Sequence, residues 1–182
     1  MTSIMRFDQW QNSLGQQYNT VLQVANAKDS GSAVSSSASW STQLGVTLTS
    51  KMANSKFLIT AHVYMGYTMS VAGNADVDNY AVGLGRNGTT LLLDTRGSSY
   101  ITDGFVGSDV PMTGGGTYAG QYDVGVKSVT YLDSPQGPAG TSYTYNILFR
   151  NPYATGVAYY NRSANGAGSG GMSTITVMEI AQ

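Results

Sequence analysis

Residues 55–68 read SKFLITAHVYMGYT, and their pattern decides the fold that we predict. This stretch divides into two alternating sets, Phe57, Ile59, Ala61 and Val63 on one side and Leu58, Thr60, His62 and Tyr64 on the other. A period of two is typical of a β-strand. Because Leu58 and Tyr64 give the second face apolar character, we expect both faces to be at least partly covered, as in an inner strand.

The composition of the chain excludes several classes of protein. A chain of 182 residues fits one domain, and the absence of cysteine excludes disulfides and thiolate metal sites. Charged residues make up 10% of the chain and the net charge is −1, which excludes the basic surface of a nucleic-acid binder. No run of 18 apolar residues occurs, and the first residues lack the apolar core of a signal peptide, so we expect no membrane insertion.

Further segments with strand character follow one another with no helical pattern between them. They are VLQVANA from Val21, ASWSTQLGVTLTS, VGLGRNGTTLLLD, YDVGVKSVTYLDSP, TSYTYNILFR, GVAYYNRS and STITVMEIAQ, with KDSGSAVSSS assigned to a loop. We therefore predict eight or nine strands in an all-β, single-domain antiparallel sandwich of jelly-roll topology. The domain is predicted over residues 21–182, after a short N-terminal arm at residues 1–20.

A glycine motif and a histidine are the first candidates for chemistry. Residues 83–88 have the GxGxxG spacing of a dinucleotide loop, but a strand follows them instead of a helix, so we predict a hairpin turn at Asn87-Gly88. His62 is the only histidine and lies within a strand, where a hydrogen-bonded packing role is expected. Catalytic sites that need histidine or cysteine therefore lack parts, and we predict no cofactor.

Two segments without a sustained period, residues 69–79 and 94–120, contain aspartates and have tyrosines in or beside them. Asp76 and Asp78 alternate as in a calcium loop, but the glycine and glutamate of an EF-hand are missing, so we predict no metal site. Paired carboxylates leave glycoside hydrolysis open as a minor alternative to turn-forming aspartates. Rigid rings beside an adaptable backbone favour ligand contact, and our candidates are Tyr67, Asp76, Asp78, Tyr100, Asp103 and Tyr118.

The two ends of the chain predict contacts with other chains. Phe7, Trp10 and Leu14 stand among polar residues in the arm, which suits a segment that orders on a partner, although a terminal strand of the same domain fits equally. In STITVMEIAQ, Met178 and Ile180 make the second face apolar, so we expect them at an interface between copies. Glu179 shares a face with Ile175 and Val177 in this last strand, and we expect it at a strand end or in a charge pair.

From Val21 onward the chain resembles the small β domains that end tail-fibre and other surface proteins of tailed bacteriophages, especially marine and cyanobacterial ones. Three pieces carry the resemblance: SKFLITAHVYMGYT with VGLGRNGTTLLLD, TYNILFR leading to YYNRS, and the closing STITVMEIA. Before the domain, MRFDQWQNSLG in the arm resembles the short leader that opens such proteins. The resemblance implies a jelly roll similar to tumour-necrosis-factor and adenovirus-knob domains, usually trimeric. Because about twenty residues precede the predicted domain, we expect no long shaft of the kind that such fibres carry.

The resemblance leads to a first hypothesis of a non-enzymatic virion surface knob of the tail-fibre type. It would be made in the host cytoplasm, attached to another virion protein through residues 1–20, and would contact a host glycan or protein through the two loops. A capsid-decoration or head-fibre protein is the alternative within this class. An enzyme acting on surface polysaccharide and a soluble trimeric signalling or lectin-like ligand are hypotheses from other classes.

Overall fold

The structure is a computed structural model that describes residues 21–69, 81–91, 124–151, 156–163 and 170–181. Every regular element in these residues is a β-strand, and all pairings are antiparallel. The strands are β1 (Val21–Asp29), β2 (Ala33–Ser35), β3 (Ser41–Thr49), β4 (Lys56–Met69), β5 (Ala81–Arg86), β6 (Thr89–Thr90), β7 (Gly125–Asp133), β8 (Ser142–Arg150), β9 (Gly156–Tyr160) and β10 (Ser173–Ile180).

The first sheet is built around β4, the strand predicted to lie inside. One side of β4 pairs with β7, and the other pairs with β10 along Lys56–His62 and then with β9 along Met65–Met69. Strands β9 and β10 therefore form one row beside β4, interrupted at residues 161–172. Strands β2 and β1 pair with β9 and β10 respectively, and they form the edge row in the same way.

The second sheet has the order β3-β8-β5-β6. With each interrupted pair counted as one row, the described chain has eight rows, ordered 1-8-3-6 in the first sheet and 2-7-4-5 in the second. Successive rows cross repeatedly from one sheet to the other, as the two Greek keys of a jelly roll require. The predicted jelly-roll sandwich is confirmed.

The core lies between the two sheets, where alternate side chains of each strand meet. Phe57 packs its ring against Tyr143 and Tyr145, with ring centroids 5.1 and 5.8 Å away. Farther along the strands, Phe149 stacks on Tyr160 at 6.0 Å. The predicted alternation of β4 is confirmed, because all four residues of the first predicted set are fully buried: Phe57, Ile59, Ala61 and Val63.

The β5–β6 connection confirms the predicted hairpin. Asn87 and Gly88 have φ angles of 49° and 81°, which a type I′ turn requires at both central positions. The backbone N–H of Asn87 and its side-chain Oδ1 both bond to Thr144 of β8, each at 2.8 Å. The GxGxxG spacing therefore belongs to a strand and its turn.

Two predicted details are wrong. The segment KDSGSAVSSS, predicted to be a loop, contains β2, because Ala33–Ser35 pairs with β9. The second is His62, which is exposed on the outer face of the first sheet rather than packed, although the expected hydrogen bond exists between its Nδ1 and Ser128 Oγ, 2.7 Å apart. Tyr67, by contrast, lies in β4 as its place in the predicted strand 55–68 implies, close to the end of β4 at Met69, and it pairs with Ala158.

Candidate functional site

The strands give the domain two ends, which we call lower and upper. The lower end carries Val21, Ile180 and the connections at residues 50–55, 87–88 and 134–141. The upper end carries the end of β4 at Met69 and the start of β5 at Ala81. The stacked pair of Phe149 and Tyr160 lies beneath the upper end, whereas the Phe57 ring cluster lies near the lower end.

The first predicted contact loop joins strands at the upper end, and the second runs from part-way up the second sheet to the upper part of the first sheet. Residues 70–80 connect Met69 to Ala81. Residues 92–123 follow Leu91, which bonds to Leu84 O as the chain runs upward, and they return at Gly125, paired with Met65. The candidate residues within these segments, Asp76, Asp78, Tyr100, Asp103 and Tyr118, lie outside the described part of the chain.

The chain enters the domain at the opposite end. Val21 pairs with Ile180, which itself pairs with Lys56 at the start of β4. Residues 1–20, with the predicted anchors Phe7, Trp10 and Leu14, precede Val21 and lie outside the described residues. A load or a partner bound to this segment would therefore reach the domain at its lower end.

An apolar row crosses the outer face of the first sheet. Val24, Met178, Leu58 and Leu132 stand directly opposite one another on β1, β10, β4 and β7, and we call them the apolar row. Val24 is 54% exposed and Leu132 is 49% exposed, while Met178 and Leu58 are half-buried. Ile180, the other predicted interface residue, is half-buried next to Val21 below the row. Both predicted interface residues thus lie on one face.

Polar residues occupy the next rows of the same face. Thr176, Thr60 and Thr130 align above the apolar row, and Thr174, His62 and Ser128 align above the threonines. The β9–β10 interruption then covers the face, since a Cβ on Gly66 would collide with Arg162 O. The open part of this face is therefore its lower half, which combines an apolar row with hydroxyl groups.

Asn161 lies where the β9–β10 row and the β1–β2 row are both interrupted, and its side chain bonds to both rows. It was not identified from the sequence. Its Nδ2 donates to Asp29 O and Gly31 O at 2.7 and 2.9 Å, and its Oδ1 accepts from Ser173 N and Oγ at 3.1 and 2.6 Å. Ser173 Oγ in turn accepts from Tyr64 N at 3.0 Å. A left-handed φ of 57° fits Asn161 to this bend.

Glu179 is fully buried at the lower end among neutral donors. Its Oε1 accepts from Lys51 N at 2.7 Å, Met52 N at 3.2 Å and Ser55 Oγ at 2.7 Å, and its Oε2 accepts from Gln23 Nε2 at 2.6 Å. These bonds tie β10 to β1 and to the β3–β4 connection. The expected position at a strand end is confirmed, because Glu179 is the second-last residue of β10, and hydrogen bonds from neutral donors take the place of the expected charge pair.

A second polar cluster closes the other side of the lower end. Asp133 Oδ2 accepts from Arg86 at 2.5 Å and from the Tyr145 hydroxyl at 2.8 Å, so it joins β7 to β5 and β8. Burial first, and the bond to Asp133 second, raise the pKa of Tyr145 above its ordinary value. The phenol stays protonated and donates at neutral pH.

Within the described residues we find no group of three or more metal-ligating side chains. The same residues contain no helix long and apolar enough to span a membrane. The buried carboxylates of Glu179 and Asp133 are each engaged by donors that link strands. The polar clusters of the described framework therefore serve to hold the sandwich together.

No protein-family model matches the chain, and neither does any curated protein. Among solved structures, the chain is similar to the VP2 subviral particle of infectious bursal disease virus, at 12% identity and a TM-score of 0.37. The match covers 98% of this chain and 42% of the VP2 chain, so this chain spans less than half the length of that protein.

Proposed function

We propose that this chain is a non-enzymatic virion surface protein of a bacteriophage, a tail-fibre type knob carried by its N-terminal arm. The observation that carries this proposal is that the N-terminal arm and the candidate contact loops join different parts of the domain. Residues 1–20 join it at the lower end through Val21, whereas residues 70–80 join strands at the upper end. Residues 92–123 follow Leu91, part-way up the second sheet, and return beside Met65 in the upper part of the first sheet. A knob that is attached at one end and contacts its host at the other needs this arrangement.

The composition of the upper loops bears on the host ligand. Residues 70–80 and 92–123 together contain six aspartates and one arginine, while most of the lysines and arginines lie in the described framework. Phosphate-rich glycans would be repelled by such loops at low ionic strength. The expected ligand is therefore a neutral or amine-bearing glycan or protein, with Tyr100 and Tyr118 supplying flat contact surfaces.

The open lower half of the outer face supports self-association. Burying a Val or Leu side chain contributes about 1.5–3 kcal/mol, so each half-exposed residue such as Val24 or Leu132 would gain roughly 1 kcal/mol in an interface. In the described rows of this face, the charged residues are Lys28 and Lys56 at its margins. We propose that copies meet through this face as a homotrimer, the number three being implied by the family resemblance.

The proposal is tested by adsorption and by location. Replacing Tyr100 and Tyr118 by Ala should reduce phage adsorption to host cells while the melting temperature of the purified protein stays unchanged. Replacing Tyr131, which faces the core, provides a control that lowers stability instead. Adsorption that survives the double replacement would overturn the contact role.

Labelling the protein on intact particles by electron microscopy distinguishes the placements. Label at the tail supports the fibre knob, whereas label on the head selects the capsid-decoration or head-fibre alternative. Hydrolysis of purified host envelope glycans by the protein would overturn the non-enzymatic assignment.

A further inference from the structure

The direction in which β1 leaves the domain sets how it would carry force. Val21 is at the lower end, and β1 runs upward beside β10 over eight residue pairs to Asp29. Pulling residue 21 away from the upper end would draw β1 along its own axis. Hydrogen bonds of antiparallel strands are perpendicular to the strands, so such a pull loads all eight pairs together.

The same pull is passed on to the strands that lead to the upper loops. β10 pairs with β4 over seven residue pairs, and β4 continues to Met69, where residues 70–80 begin. The path from Val21 to Met69 crosses two interfaces, β1–β10 and β10–β4, and the pull loads both of them along the strand axis.

Two side chains fasten β1 near its ends. Gln23 Nε2 bonds to Thr49 O at 2.7 Å and to Glu179, which links the lower part of β1 to both sheets. Asn161 bonds to the carbonyls of Asp29 and Gly31 at the top of β1. Sliding of β1 past β10 would break these bonds together with the backbone pairs.

We propose that the β1–β10 pair is a force-bearing ladder, strong when the chain is pulled between residues 1–20 and the upper loops. The inference rests on the proposed function, because a knob that holds a particle to its host is pulled along this line. A pull between the two chain ends acts differently. Val21 and Ile180 are opposite each other at the lower end, so separating them opens the ladder one pair at a time.

Single-molecule force spectroscopy on the full chain tests this directional strength. The sequence has no cysteine, so handles can be attached through introduced ones, with the N-terminus as the common handle. Ser70→Cys, one residue beyond β4, gives the axial pull, and Gln182→Cys gives the terminal pull. We expect the axial rupture force to be at least about twofold higher at equal loading rate, because eight pairs resist together instead of singly. Equal forces, or a stronger terminal geometry, would overturn the proposal.

The Asn161 clamp has a matched control. Asn161→Gly keeps the left-handed backbone while removing the side chain, and it should lower the axial rupture force. Asn87→Gly makes the same change in a left-handed residue of the second sheet, away from the load path, and should leave that force unchanged. If Asn161→Gly does not fold, Ser173→Ala removes the hydroxyl that bonds to Asn161. An equal loss of axial force in Asn87→Gly would refute the role of Asn161.

These measurements use the isolated protein and are separate from the test of function. A loss of directional strength with normal virion placement would reject the ladder alone. Directional strength in a protein that is absent from virions would reject the proposed function alone.

Discussion

Replacing Glu179 by Gln should lower the free energy of unfolding by about 2–3 kcal/mol, although the two side chains have nearly the same shape. The three bonds to Oε1, from Lys51 N, Met52 N and Ser55 Oγ, can persist to the amide oxygen. They become weaker because the acceptor is no longer charged. The new amide NH2 then faces Gln23 Nε2, where two donors meet in place of a 2.6 Å hydrogen bond.

No reorientation removes this mismatch. Turning the new amide at position 179 would set its NH2 against three donors, which is worse. Turning the Gln23 amide would satisfy the NH2 at position 179 but would take the donor away from Thr49 O, to which it bonds at 2.7 Å. A buried group left without its partner costs about 1–3 kcal/mol. Turning the Gln23 amide would therefore only transfer this cost from the amide at position 179 to Thr49 O.

A double-mutant cycle with Gln23→Met checks this account by urea unfolding at one fixed protein concentration. Alone, Gln23→Met deprives the Glu179 carboxylate of its Oε2 donor and should be costly. In the Glu179→Gln background it removes the clash between donors and should cost at least about 1 kcal/mol less. Additive effects, or a Glu179→Gln cost below about 0.5 kcal/mol, would refute the reasoning.

Three further outcomes are expected. Tyr145→Phe should lower the free energy of unfolding by about 1 kcal/mol at pH 8. Because the pKa of Tyr145 is raised in the folded state, the stability that the protonated phenol contributes is lost as the pH rises above 10. In denaturant titrations above that pH, the wild type should therefore lose stability more steeply than the variant. Leu58→Asp in the apolar row should give folded monomers by light scattering, whereas Thr42→Asp on the outer face of the other sheet should stay trimeric; a trimeric Leu58→Asp protein would contradict the proposed interface. Deleting residues 1–20 should leave a folded trimer that no longer enters virions, and unfolding of the shortened chain would instead assign the arm to the domain.

The fold was predictable wherever the alternation of side chains was strong. β4 and β8 place large apolar residues at every second position, so burial of one face outweighs other local preferences. Asn87-Gly88 indicated its turn because both residues tolerate positive φ. β2 was missed because Ala33–Ser35 has only three residues among serines and depends for its pairing on β9, far away in the sequence.

The polar clusters were not predictable, since their partners are distant in the chain. Glu179 and Gln23 are 156 residues apart, and Asn161 and Asp29 are 132 apart. The one local signal was Glu179 itself, a carboxylate on the apolar side of an alternating strand. Such a residue must find donors when that face is buried, and which donors it finds depends on the register of β1 and on the turn after β3.

The placement of these clusters bears on how the domain could change its ligand. Glu179 and the Asp133 cluster both cross-link strands at the lower end, and Phe149 and Tyr160 close the core beneath the upper end. Residues 70–80 join the framework above these contacts, and residues 92–123 follow Leu91, whose backbone bonds to Leu84 O rather than to any of these groups. Substitutions in those segments therefore need not disturb the groups that hold the two sheets together. If residues 1–20 attach the domain as proposed, its upper loops can vary without altering that attachment, and this separation is what the proposed host-contact role requires.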